Sequence, residues 1–289
     1  VEPSVIAWLL SPAALGLLGL CIGSFLNVVA HRLPRMLERQ WREESAELLG
    51  VEATPAPGDD GRPFNLAQPR SRCPHCGHVL RWHENIPLLG WLRLGGRCAS
   101  CRAPIGLRYP LVELGCGLLF AAVGWRVGAP PETLLWCGFA AMLLAMSLID
   151  WDTTLLPDSM TQPLVWAGLI AAALGWLPLT LAQSLWGAVA GYLSLWSIYW
   201  LFRLATGKEG MGAGDFKLLA ALGAWLGVSM LLPIVLGASV IGAVAGIAMK
   251  LSSQLREGRY VPFGPFLAGG GAVVMLAGPE RVLRWMGWA

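Results

Sequence analysis

The chain has 289 residues, of which 55% are hydrophobic and only 13% charged, with a formal net charge of +3. A soluble domain carries about 25% charged residues, so this composition excludes an ordinary soluble enzyme. The small net charge gives no case for nucleic-acid binding. The fold class expected is an all-α polytopic membrane protein, and the fifteen tryptophans suit interfacial belts.

Apolar runs of about 20 residues predict about eight transmembrane helices, near 4–31, 110–127, 133–149, 160–177, 180–202, 216–229, 231–249 and 263–279. The first lacks a basic start and runs into Asn27 and His31 rather than a small-residue cleavage site, so it reads as a span and not a signal peptide. Segment 32–108 holds 12 of the 21 basic residues, and the turns with Arg203, Lys208, Lys217, Lys250, Arg256 and Arg259 add six. The opposite side keeps Arg126, Arg281 and Arg284, an 18-to-3 split. Excess Lys and Arg mark the cytoplasmic side. The expectation is a multi-pass protein of the cytoplasmic membrane, with both termini outside and the large loop, Asp150 and Asp215 inside.

The parts expected are a first membrane helix (1–32), a small cytoplasmic zinc-binding insert (33–108) and a membrane-embedded part (109–289). RMLERQWREESAELLG reads as a solvated amphipathic helix extending the first span. VEATPAPGDDGRPFN reads as a loop without chemistry. Two C-x-x-C knuckles follow, Cys73 with Cys76 and Cys98 with Cys101, at the spacing of a four-thiolate zinc site. Small residues such as Gly77 and Ala99 suit tight turns around a metal. Four protein ligands leave no open position for water, so such a zinc is structural. Two disulfides or unlinked thiols are the alternative, and a reducing cytosol argues against the disulfides. His75, His78 and His83 surround the first knuckle, but the complete quartet makes them neighbours rather than ligands. Cys21, Cys116 and Cys137 read as small apolar residues.

The third span ends in LIDWDTTLLPDSMTQP. Asp158, after Pro157, reads as a helix N-cap, and Asp152 as solvent-facing or locally hydrogen-bonded. Asp150 has no such structural reason. In TGKEGMGAGDFK, four glycines bring backbone close to whatever binds, and Asp215 then opens an apolar run. An N-cap is the bland alternative for Asp215. No G-K-[ST] follows, so a nucleotide loop is disfavoured. Lys217 either snorkels to the interface or sets local electrostatics. A carboxylate beside hydrocarbon is a functional candidate by default. Two at similar depth can share a proton and activate water. A proton-coupled transporter would also use intramembrane acids, but no convincing internal repeat accompanies them. A zinc-bearing scaffold would leave the two acids unexplained.

GSFLNVVAHRLP (23–34), the paired C-x-x-C, LRYPLVE (107–113), the D-x-D…LLPD turn (150–158), GMGAGD (210–215) and VPFGPF (261–266) occur in an order and spacing that resembles the bacterial prepilin peptidases, the type IV leader peptidases. The resemblance covers nearly the whole chain. It implies an aspartic protease of the GxGD type, similar in logic to presenilin and signal peptide peptidase, with Asp150 and Asp215 catalytic. It implies cleavage of the short basic leader of prepilins and pseudopilins of type IV pili and type II secretion. It also implies N-methylation of the new terminus with S-adenosylmethionine, and a peptidase-only member is the alternative. No glycine-rich dinucleotide fingerprint marks the methyl-donor site. Gly95, Gly96, Arg108 and Glu113 are candidates by position alone. Gly95 and Gly96 shaping the knuckle, and Arg108 pairing with Glu113, are the structural alternatives.

Overall fold

The computed structural model describes residues 7–52, 63–128, 130–251 and 261–288. Most of the 51–64 loop, together with Arg256 and Arg259, lies outside them. Among the described residues the regular structure is helical, apart from two isolated β-bridges in the cysteine-bearing segment. The chain divides into two compact units, Val1–Thr133 and Leu134–Ala289.

In the first unit, α1 (Pro12–Leu49) starts at the N-cap Ser11, whose hydroxyl accepts from the Ala14 N–H, and ends at Gly50 in the left-handed region. Its 38 residues span about 57 Å, well beyond a hydrocarbon core of about 30 Å. The first apolar run and the amphipathic stretch after it therefore form one helix. A short α2 (Leu89–Arg93) precedes α3 (Arg108–Val127). α1 and α3 approach along glycines. A β-carbon at Gly19 would lie 2.7 Å from the Cys116 carbonyl, and one at Gly23 would lie 2.8 Å from the Glu113 α-carbon. Between membrane helices, where lipid is as apolar as leucine, such small residues let backbones pack closely.

The second unit is built around α7 (Ala213–Leu226), whose residues from Phe216 to Leu226 are nearly all buried. α4 (Glu132–Thr153) stacks Phe139 on Trp225 with ring centroids 4.5 Å apart. α5 (Asp158–Ala173) accepts the Trp225 Nε1–H at the Leu164 carbonyl, 2.8 Å away, and leaves room for the indole at Gly168. α6 (Leu181–Thr206) meets α7 at Gly187 and Gly223, whose backbones touch, and the Ser184 hydroxyl donates to the Ala224 carbonyl at 2.6 Å. α8 (Leu231–Leu251), α9 (Gly264–Ala277) and α10 (Pro279–Trp285) complete the chain. Gly271 of α9 receives Leu222 of α7.

Helices stand at each of the eight expected places, and among the described residues five are long and apolar enough to cross a membrane, or six if α9 and α10, bent by 110°, count as one span. The shortfall falls on α5 and α7, with 16 and 14 residues. At 1.5 Å per residue they are about 24 and 21 Å long, short of a full crossing. α7 is apolar because other helices enclose it. Burial by protein and burial by lipid leave the same sequence signature.

Candidate functional site

The cysteine knuckles are two similar turns. In the first, the Cys73 N–H donates to the His78 carbonyl and the Gly77 N–H to the Cys73 carbonyl. In the second, the Cys98 N–H donates to the Ala103 carbonyl and the Arg102 N–H to the Cys98 carbonyl. The position after each C-x-x-C is left-handed, with φ +72° at Gly77 and +60° at Arg102. The second knuckle thus adopts with arginine what the first adopts with glycine. The four Sγ atoms lie within 4.8 Å of one another, with Cys73–Cys101 at 3.8 Å and Cys76–Cys98 at 3.9 Å. Four sulfurs at about 2.3 Å from a tetrahedral zinc would stand about 3.8 Å apart, so the donor set fits that ion. The Cys101 and Ser100 N–H groups, aimed at the Cys98 sulfur, hold its thiol down at about 6, favouring the thiolate that a metal takes. His78 Nε2 lies 3.0 Å from Glu84 Oε2, beside the knuckle and outside the quartet.

The four residues considered for the methyl donor lie near this insert and along α3. Gly95 and Gly96 form a left-handed turn. A β-carbon at Gly96 would strike the Trp91 ring, while Gly95 faces open space. Arg108 is the first residue of α3. Glu113 is buried and accepts the Leu88 N–H at 2.8 Å. Gly96 thus lies against the Trp91 ring, and Glu113 is held by the Leu88 N–H.

Asp150 and Asp215 both belong to the second unit and are only 5% and 6% exposed. Asp150 lies in the last turn of α4, with its backbone carbonyl accepting the Thr154 N–H. Asp215 is the third residue of α7. The cap is Gly212, so Asp215 is not itself an N-cap. The segments that carry the two carboxylates come together at Leu156. Leu156 occupies the space around them. Its β-carbon abuts Gly214, the neighbour of Asp215, and its Cδ1 reaches Gly264. In the sequence Gly264 stands out only as part of VPFGPF. It opens α9, and its N–H donates to Asp150 Oδ2 at 3.0 Å. Asp150 thus satisfies one of the unpaired N–H groups at a helix start, where negative charge is favoured. A glycine followed by Pro265 at a helix start was the only available hint, because the contribution is a backbone donor.

Asp158 does not act as the N-cap expected of it. Pro157 holds that position, and Asp158 lies in the first turn of α5, where both carboxylate oxygens bind Lys217 Nζ at 2.6 and 2.7 Å. Lys217 is thereby tied to a partner rather than extended to the interface. Asp152 is half-buried.

Two family models match the chain: the bacterial peptidase A24 N-terminal domain over residues 17–127 and the type IV leader peptidase family over 137–247. A relative from Stutzerimonas stutzeri, named prepilin leader peptidase/N-methyltransferase, is 52% identical over 94% of this chain and 92% of its own length. One of the same name from Pseudomonas aeruginosa is 51% identical over the same shares. The chain belongs to this family. A third member, from Aeromonas hydrophila, is 49% identical over 93% of this chain and 91% of its own length. No solved structure matches. Membership in the leader peptidase family sets aside the transporter and the non-enzymatic scaffold.

A β-carbon at residue 264 would lie 2.5 Å from Asp150 Oδ2. The Gly264→Ala leader peptidase is expected to fold, since alanine suits a helix better than glycine, yet to cleave leaders about ten- to hundredfold more slowly because its carboxylate is displaced. Cleavage assays on purified protein check this, and an unchanged rate would remove Gly264 from the site.

Proposed function

We propose that this chain is a membrane aspartic endopeptidase that removes the leader of prepilins and pseudopilins and then N-methylates the exposed terminus. The observation that supports the peptidase reading is the burial of Asp150 and Asp215 on segments that both pack against Leu156 and the start of α9. The peptidase is assigned to 109–289 and the methyltransferase region to 33–108. The basic excess of the large loop and of the turns near the aspartates supports a cytoplasm-facing site. A leader carrying positive charge would then stay on the cytoplasmic side while the apolar stem of its pilin lies in the bilayer.

Two carboxylates that share a site do not readily ionise together, so the pair holds one proton. Its titration belongs to the pair and to neither member alone. The ionised member removes a proton from water, and the oxygen attacks the scissile carbonyl. The protonated member donates to the carbonyl oxygen. Collapse of the tetrahedral intermediate breaks the C–N bond as a proton passes to the departing amine. No covalent enzyme intermediate forms. The Gly264 N–H holds one Asp150 oxygen in place, so the carboxylate need not reorganise during the reaction.

S-adenosylmethionine supplies the methyl group in this reading. Zinc held by Cys73, Cys76, Cys98 and Cys101 would fasten the two knuckles together and take no part in hydrolysis.

Co-expression with a prepilin, followed by intact-mass analysis, tests both activities. Wild-type protein is expected to yield processed pilin carrying an added methyl group. Asp150→Ala and Asp215→Ala should each yield only unprocessed precursor, and processing at a normal rate by either variant would contradict the assignment. Processed but unmethylated pilin would mark a peptidase-only enzyme. Metal analysis of purified protein is expected to find about one zinc per chain, lost in Cys98→Ser. Unchanged metal content in that variant would rule out the thiolate site.

A further inference from the structure

We propose that Asp158 and Lys217 form a clamp that sets the separation of Asp150 and Asp215, with Leu156 as the spacer. The inference rests on the reading of those two aspartates as the catalytic pair. The clamp residues are 59 positions apart in sequence, Asp158 opening α5 and Lys217 lying in the second turn of α7. Lys217 Nζ contacts both oxygens of Asp158, at 2.6 and 2.7 Å. The Asp158 side chain is 62% exposed and that of Lys217 25%. An ion pair so open to solvent contributes little to stability. Its use is therefore sought in position.

The neighbours of the pair supply that use. Lys217 is two residues from Asp215, and Asp158 is two residues from Leu156. Leu156 fits between Gly214, beside Asp215, and Gly264, whose N–H holds Asp150. Drawing Asp158 toward α7 therefore presses Leu156 into the gap between the two carboxylate-bearing segments. The connecting turn is not relaxed by itself. Thr154 has φ +54°, a region that a β-branched residue enters only when its surroundings impose it. The ion pair is a tie at the far end of that turn. Neither Asp158 nor Lys217 is asked to touch substrate, so both are positioning residues.

The test uses the full-length protein purified in detergent and a prepilin substrate. It compares Asp158→Asn, Lys217→Met, the double variant, and the conservative Asp158→Glu and Lys217→Arg, with Asp150→Ala and Asp215→Ala alongside. Asp158→Asn and Lys217→Met are expected to lower kcat about tenfold or more, with KM changed by less than about twofold and Tm nearly unmoved. The double variant should be no worse than the poorer single, because one tie is lost only once. The conservative variants should recover most of the rate. If the aspartate controls are inactive but Asp158→Asn and Lys217→Met retain normal kcat, the clamp is refuted and the catalytic reading stands. Losses that multiply in the double variant, appear only in KM, or accompany unfolding would also refute it, by making the pair independent, substrate-binding or structural. If Asp150→Ala or Asp215→Ala still cleaves, the catalytic reading fails, and the clamp with it.

Discussion

Two carboxylates are held out of water inside an apolar helical unit, and the surrounding structure answers the cost of doing so. A buried charge is tolerated only with partners. Asp150 has the N–H at the start of α9, and Asp215 lies in the first turn of α7 near that helix's own unpaired N–H groups. Helix starts thus stand beside both acids. That requirement explains why α7 is short: its beginning must fall where the segments of Asp215 and Asp150 come together, not at the edge of a membrane span.

Close approach is the second requirement, and glycine supplies it wherever two backbones must nearly touch. Gly187 against Gly223 brings α6 onto α7, Gly19 and Gly23 bring α1 onto α3, and Gly214 and Gly264 admit Leu156 and Asp150. In lipid, apolar surface gains little by turning inward, so tight packing takes over part of the work that hydrophobic burial does in water. The same glycines that hold the bundle together therefore also make room for the site.

The thiol quartet was legible because its ligands come in pairs two residues apart, a spacing with few other uses. The burial of the two aspartates beside apolar segments was legible because acids interrupting apolar runs are rare. Gly264 was not, since its contribution is a main-chain N–H with no side chain to read. Asp158 reads as a cap because an acid opening an apolar run suits that position, but Pro157 holds it. Its partner, Lys217, lies 59 residues away, and local pattern cannot reveal such a pairing. Which helices are long enough to cross is hard to read from sequence for a related reason. The apolar run of α7 faces protein on nearly every side, yet hydropathy records only that it avoids water.

The central claim is that Asp150 and Asp215 work as one unit sharing a single proton. The most direct measurement is the pH dependence of kcat/KM for leader cleavage by the wild-type enzyme. A bell-shaped profile is expected, falling at low pH as the pair becomes doubly protonated and at high pH as its last proton leaves. A profile with only one ionisation, active in either the fully protonated or the fully ionised state, would contradict the account.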